Sequence, residues 1–286
     1  MMGSHGCQHR VLTNRFVYNS QNNLQMRGFI ALLMSKAASP CPSNSDLICD
    51  SMVSGIYPSQ RNLAEITELI HTAFLVHRGI VNLKVWVNSD GPLTDMPFGN
   101  KMAVLSGDFL LANFLFFHCL FSVVELISSA VEDVVQGIYH ESSSSAEEGS
   151  LTVASWEEQT FLSHGALLAK SCQAVMKLAR HGTEAQNLAF QYGKHLALGH
   201  KLNSDLQLFV KSGSELAVFS LDSAPVVFTF FSLHFRSRIW LDRLITHRQV
   251  TSLRGLIKMK RGVSQGLDLC KARSALENMA CTVTKF

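Results

Sequence analysis

The chain is expected to be all-α, a helical bundle, and three observations predict this. Apolar residues recur at helical spacings of three and four along most of its length, while stretches of strand-type alternation are few. Residues that start and stop helices bracket those periodic stretches. Finally, 47% hydrophobic and only 16% charged residues over a length of 286 supply a core for one large domain or two small ones.

The elements follow in order. From Asn62 the apolar residues Leu63, Ile66, Ile70, Phe74 and Val81 fall on one face, and Glu65, three residues on, suits a helix N-terminus, so one long amphipathic helix is expected. The run from Phe109 to Val124 is the most membrane-like. Asn113 and His118 interrupt it, and Asp108 and Glu125 close it below the ~20 residues a bilayer requires, so a buried core helix is expected instead. Ser155 followed by Glu158 reads as a capping box opening a helix through Leu162, Leu167, Ala169, Val175 and Leu178, with Gly182 ending it. Thr183 with Gln186 opens the next, through Phe190, Tyr192, His195, Leu198 and Leu202 to about Phe209. The join is so short that the two must lie antiparallel. Polar or Pro/Gly-bearing stretches from Ser39 to Ser59, Lys84 to Phe98 and Ser142 to Ser150 are expected loops. The aromatic stretch Phe228 to Trp240 fits strand or helix.

Composition excludes several functions. A net charge of +3, from 25 basic and 22 acidic residues dispersed along the chain, is no footprint for a phosphate backbone. The seven cysteines form no CxxC pair and several sit among apolar neighbours, which suits a reducing compartment. Before Asp46 there is no acidic residue, while Arg10, Arg15, Arg27 and Lys36 stand among Ser and Asn, the pattern of a mitochondrial presequence. Gly-rich phosphate loops, a GxSxG elbow and HExxH are all lacking. His71 and His77, like His195 and His200, miss the four-residue spacing of zinc pairs and are expected to be satisfied or surface histidines.

Two segments carry a resemblance. One is Gly99-Asn100-Lys101-Met102-Ala103-Val104-Leu105-Ser106-Gly107-Asp108-Phe109-Leu110-Leu111-Ala112; the other is the helix ending Leu69-Ile70-His71-Thr72-Ala73-Phe74-Leu75-Val76-His77. Together, in this order and separation, they resemble the trans-polyprenyl diphosphate synthases, which carry a GNKxAVLxGDxLLA segment preceded by a helix ending in His-Asp-Asp-x-x-Asp. Glu158 to Leu162 aligns with the family's Lys-Thr-Ala-x-Leu, and Leu198 to Asp205 with its second aspartate-rich helix. The resemblance implies an isoprenoid-synthase-type helical bundle around a central cavity. In such a synthase two Asp-Asp-x-x-Asp helices hold Mg²⁺ ions, which demand hard oxygen ligands and neutralise the departing diphosphate.

This chain departs from that pattern where the chemistry resides. After His77 the first cluster reads Arg78, Gly79 and Asn82, with no carboxylate. Exchanging three negative charges for one positive is costly to a metal site, since unit charges ~4 Å apart interact by roughly 4 kcal/mol at an effective dielectric of ~20. The second cluster reads Ser204, Asp205 and Leu208. Asn23, Leu24 and Gln25 replace the family's Gly-Lys-Arg, leaving only Arg27; Ser89 and Asp90 replace an Arg pair, and Gln159 a Lys. What persists is packing: Gly107 permits a close helix contact, and Asp108 is expected to cap or join a polar network rather than bind metal.

The resemblance therefore implies a non-catalytic or regulatory subunit, with no catalytic residue and no cofactor of its own. It would act in a mitochondrial heterotetramer whose catalytic polyprenyl-diphosphate synthase subunit holds Mg²⁺ and makes the ubiquinone side chain. It covers residues 24–286 as one domain after a poorly defined segment 1–23, diverging at 114–122 and 228–260. A feeble prenyltransferase using Asp205, and a helical interaction protein unrelated to isoprenoids, are the competing readings.

Overall fold

The computed structural model describes residues 27–38, 53–80, 96–113, 121–143 and 153–211, with Ser274 and Asn278. Expectations for the N-terminal segment, for Asn82, for Phe228 to Trp240 and for most of the expected loops lie outside these residues. The described residues are helical, with a single bridge between Val53 and Ile56 around a turn in which Ser54 and Gly55 take positive φ. The helices are α1 (Arg27–Ala38), α2 (Pro58–Arg78), α3 (Met96–Asn113), α4 (Phe121–Ser143), α5 (Val153–Thr160), a π-helical turn (Phe161–Gly165), α6 (Ala166–Leu178) and α7 (Thr183–Lys211). They fall into two compact units. Arg27–Ala64 with Cys119–Phe286 form one, and Met1–Met26 with Glu65–His118 the other.

In the larger unit α6 is the centre, packing on α1, α4 and α7. Its sequence explains this, because Leu167, Leu168, Cys172, Val175 and Met176 cover more than one face and are all buried. The buried Cys172 thiol acts as a small hydrophobe, its pKa pushed up to about 12 by burial. The α6–α7 pair is antiparallel: Gly165 meets Ala197, and Gly193 meets Ala169. A Cβ at Gly193 would stand 2.8 Å from Ala169 Cα, so only glycine admits this approach.

Boundaries differ instructively from expectation. Helix α2 begins at Pro58 rather than Asn62, because proline suits the first helical position and Gln60 caps the end. Gln60 Oε1 accepts from the Tyr57 N–H at 3.0 Å, while its Nε2 donates to the Val175 carbonyl at 3.2 Å, tying α2 to α6. Leu63, Ile66, Ile70 and Phe74 are buried as their spacing predicts. Ser155 lies inside α5, which starts at Val153; buried Trp156 and Thr160, one turn apart, carry that helix back past the expected cap. α6 stops before Gly182, at Leu178. There His181 N–H donates to the Met176 carbonyl and Arg180 N–H to the Lys177 carbonyl, both at 3.0 Å, with Arg180 at φ 56°. This is a Schellman stop with arginine where glycine is usual.

In the smaller unit, α2 buries Ile66, Ile70, Ala73 and Phe74. Of the buried helix expected from Phe109 to Val124, the described parts are the end of α3, to Asn113, and the start of α4, from Phe121; burial is contradicted at Phe109, which is 67% exposed. Among the described residues of α3 only Gly107 is fully covered, so its apolar residues face outward. No helix among the described residues is long and apolar enough to cross a membrane.

Candidate functional site

The first cluster position stands where α2 runs out. Arg78 is its last residue, exposed and basic, as suits the negative end of a helix dipole. Gly79 already lies in a turn, its N–H donating to the Val76 carbonyl at 3.0 Å. Carboxylates at i, i+1 and i+4 share a face only if the helix continues for a further turn beyond the first of them. Here it ends at that first position.

Behind Arg78, His77 reaches α3. Its imidazole brings the Nε2–Cδ2 edge up to Gly107, so any Cβ there would collide with the ring. Nε2 is 3.4 Å from both the Val104 carbonyl and Asp108 Oδ1, so an Nε2–H serves both acceptors weakly. Gly107 and Asp108 are thus brought together with His77, a partner that the glycine alone did not reveal.

The second cluster position keeps its helix. Ser204, Asp205 and Leu208 all belong to α7, and Asp205 is buried. Its carboxylate is occupied, because Lys201 Nζ lies 2.5 Å from Oδ1 one turn earlier. His200 beside Lys201 has its pKa lowered to about 4, first by burial and then by the positive charges of Arg27 and Lys201. Arg27, the one retained basic residue of its segment, is buried at the start of α1 and donates from Nη2 to the His164 carbonyl at 3.4 Å. So Arg27, His200 and Lys201 are electrostatic neighbours, a grouping that separations of more than 170 residues hide in the sequence.

Gln159, in place of a lysine, sits on α5 just before the π-helical turn, and the Ser163 hydroxyl donates to its carbonyl at 2.9 Å. The turn exists because α4 presses into it: a Cβ on Gly137 would stand 2.7 Å from Ser163 Cα and 2.8 Å from the Leu162 carbonyl carbon. Ser163 Oγ, 2.7 Å from His164 Nδ1, and Glu141 Oε1, 3.6 Å from the same nitrogen, assemble a Ser-His-Glu group. Both meet one ring nitrogen, whereas a nucleophile relay needs serine and carboxylate on opposite nitrogens.

The donors present do not fit Mg²⁺. Arg78 repels it, Gly79 offers no side chain, and Asp205 is a lone carboxylate already neutralised by Lys201. Among the described residues no group of three His, Cys, Asp or Glu converges as a metal site.

Comparison with known proteins accords with this architecture. Residues 9–217 match the polyprenyl synthetase family model. The chain is 51% identical to the Rattus norvegicus all trans-polyprenyl-diphosphate synthase PDSS2, over 98% of this chain and 78% of that one. It is 27% identical to a probable mitochondrial hexaprenyl pyrophosphate synthase of Neurospora crassa (91% and 69% covered) and 25% to decaprenyl-diphosphate synthase subunit 1 of Schizosaccharomyces pombe (92% and 77%). Among solved structures it shares its fold with the apo Arabidopsis medium/long-chain length prenyl pyrophosphate synthase, at TM-score 0.59 and 24% identity over 90% of this chain and 88% of that one. A geranylgeranyl pyrophosphate synthase from Corynebacterium glutamicum, complexed with calcium and isoprenyl diphosphate, gives TM-score 0.63 at 13% identity (98% and 93%).

Proposed function

The chain belongs to the polyprenyl synthetase family, and we propose that it serves there as the non-catalytic subunit of a heteromeric, decaprenyl-type all-trans-polyprenyl diphosphate synthase. Its role is to stabilise or tune a catalytic subunit that holds Mg²⁺ and builds the isoprenoid side chain of ubiquinone, in a mitochondrial heterotetramer. The observation that carries this reading is the end of α2 at Arg78, where the first metal-binding carboxylate would stand. Substitution alone removes ligands; ending the helix also removes the frame on which they would converge. Mitochondrial relatives support the compartment, and a relative named as a subunit supports the assembly. Membership of the family leaves no place for a helical protein unrelated to isoprenoids.

The test is to purify the chain alone and together with a synthase subunit whose aspartate motifs are intact, then assay condensation of an allylic diphosphate with isopentenyl diphosphate in Mg²⁺. The isolated chain is expected to be inactive, and to co-purify with the synthase and alter its activity. Turnover by the isolated chain would sink the reading in favour of a feeble prenyltransferase. The triple variant Arg78→Asp, Gly79→Asp and Asn82→Asp is expected to remain inactive, because the Lys at 159 and the Gly-Lys-Arg remain replaced as well.

A further inference from the structure

Helix α4 carries a polar ridge beside its buried apolar stripe. Val123, Ile127, Ala130 and Val134 are buried and form the stripe, at spacings of four, three and four. Next to it Ser129, Asp133, Gly137 and Glu141 follow at intervals of four, a single ridge of the helix. Each of these four meets the segment that runs from the π-helical turn into α6. Lys170 Nζ lies 2.6 Å from Asp133 Oδ2 and donates to Ser129 Oγ at 3.0 Å. Gly137 seats against Ser163, and Glu141 reaches His164. The partners descend from Lys170 to Ser163 as α4 ascends, so the two segments run antiparallel.

With side chains only 15% and 23% exposed, Lys170 and Asp133 have given up much of their water. Pairs of this kind contribute little net stability over apolar residues of like size, and their best use is to fix register. The apolar stripe does not fix it. Sliding α4 by two turns sets Val134 where Ile127 was and Ala130 where Val123 was, which presents a similar surface. The same slide leaves Lys170 facing Gln136 and His140 in one direction, or Ser122 and Leu126 in the other, with no carboxylate in either. We propose that Lys170 is a register latch: by gripping Ser129 and Asp133 it holds α4 at the height where Gly137 and Glu141 engage Ser163 and His164, and so keeps the Phe161–Gly165 turn in its π form. A π turn carries one residue more than an α turn and persists only while its surroundings hold it. Reversion to α would rotate α5 by about 100° relative to α6, turning Trp156 and Thr160 out of their buried positions. The latch thus governs α5 through the turn, at a distance from its own ion pair. It is internal to the larger unit and independent of the function proposed above.

Amide hydrogen exchange of Phe161 to Gly165 in the full chain, read by NMR beside a urea denaturation, tests the latch. Replacing the pair by apolar residues, Lys170→Met with Asp133→Leu, is expected to leave the urea midpoint unchanged or raised while exchange in the turn quickens about tenfold. A pair that only stabilised the fold would lower the midpoint and quicken exchange throughout the core, and that result would overturn the proposal. Lys170→Arg, which keeps the charge, should retain wild-type exchange. Ser129→Ala removes one of the two grips without stranding a charge, and is expected to quicken exchange in the turn about threefold in a chain that stays folded. It decides the matter should the apolar pair not fold. Turn amides that exchange as in the wild type in the apolar pair, or in Ser129→Ala where that pair does not fold, would also overturn the proposal.

Discussion

The ends of α2 and α7 carry the positions that resemble a synthase's two carboxylate clusters, and they depart from that pattern by different physical routes. At the end of α2 the backbone itself departs: Arg78 is the last helical residue, and Gly79 turns the chain away. In α7 the backbone persists through all three positions, and what changes is charge, with the remaining Asp205 held by Lys201. The difference teaches where constraint lies. α7 is locked against α6 through Gly193 and cannot unwind without opening the core, so its divergence is confined to side chains. α2 ends in a turn, where composition can change without cost to that core.

The comparison breaks most severely at the α6–α7 contact. Gly193→Val is expected to destabilise the chain by about 3 kcal/mol or more, because the clash is with Ala169 backbone rather than a movable side chain. Urea denaturation measures it, and an unchanged midpoint would deny that α7 is locked in place.

Acid provides a second probe of α7. The folded pKa of His200, about 4, lies below its unfolded value of 6.5, so its contribution to stability is present above pH 6.5 and lost as pH falls toward 4. A tenfold weakening of proton affinity corresponds to about 1.4 kcal/mol, which, discounted for the part of the ring that water still reaches, places the loss at roughly 2–3 kcal/mol. Unfolding midpoints between pH 7.5 and 4.5 (about the span of a histidine titration) should fall more steeply for the wild type than for His200→Gln.

The Asp205–Lys201 pair comes next. Asp205→Asn is expected to cost about 1–2 kcal/mol, since Lys201 loses its partner beside Arg27 while remaining partly solvated. Its effect on turnover of a reconstituted synthase should be no larger than this stability loss explains. A metal ligand would instead abolish turnover, and that result would refute the comparison. The smallest effect lies at the stop of α6, where Arg180→Gly should stabilise by about 1 kcal/mol by relieving the positive φ. A thermal midpoint raised by a few degrees is the readout.

Much of the fold was legible from residue order. Leu63, Ile66, Ile70 and Phe74 announced α2, and the short join before Thr183 announced an antiparallel pair. Ends were less legible, because Pro58 with Gln60 and the Arg180 stop are settled by hydrogen bonds, one of them to Val175 far along the chain. The π-helical turn had no local signal at all. It answers to Gly137, a residue on another helix, as the lowered pKa of His200 answers in part to Arg27.

The sequence by itself determined which residues stand at the positions that resemble the family's carboxylate clusters. A carboxylate missing from Arg78, Gly79 or Ser204 cannot be supplied by folding, because ligand identity is a property of the residue. It determined the helical class too, since periodicity is local. Tertiary structure alone decided where α2 ends relative to Arg78, that His77 occupies the space above Gly107, that Asp205 is buried, and that the apolar row of α3 faces outward. Each of these depends on which groups approach through space, and separation along the chain does not encode that distance.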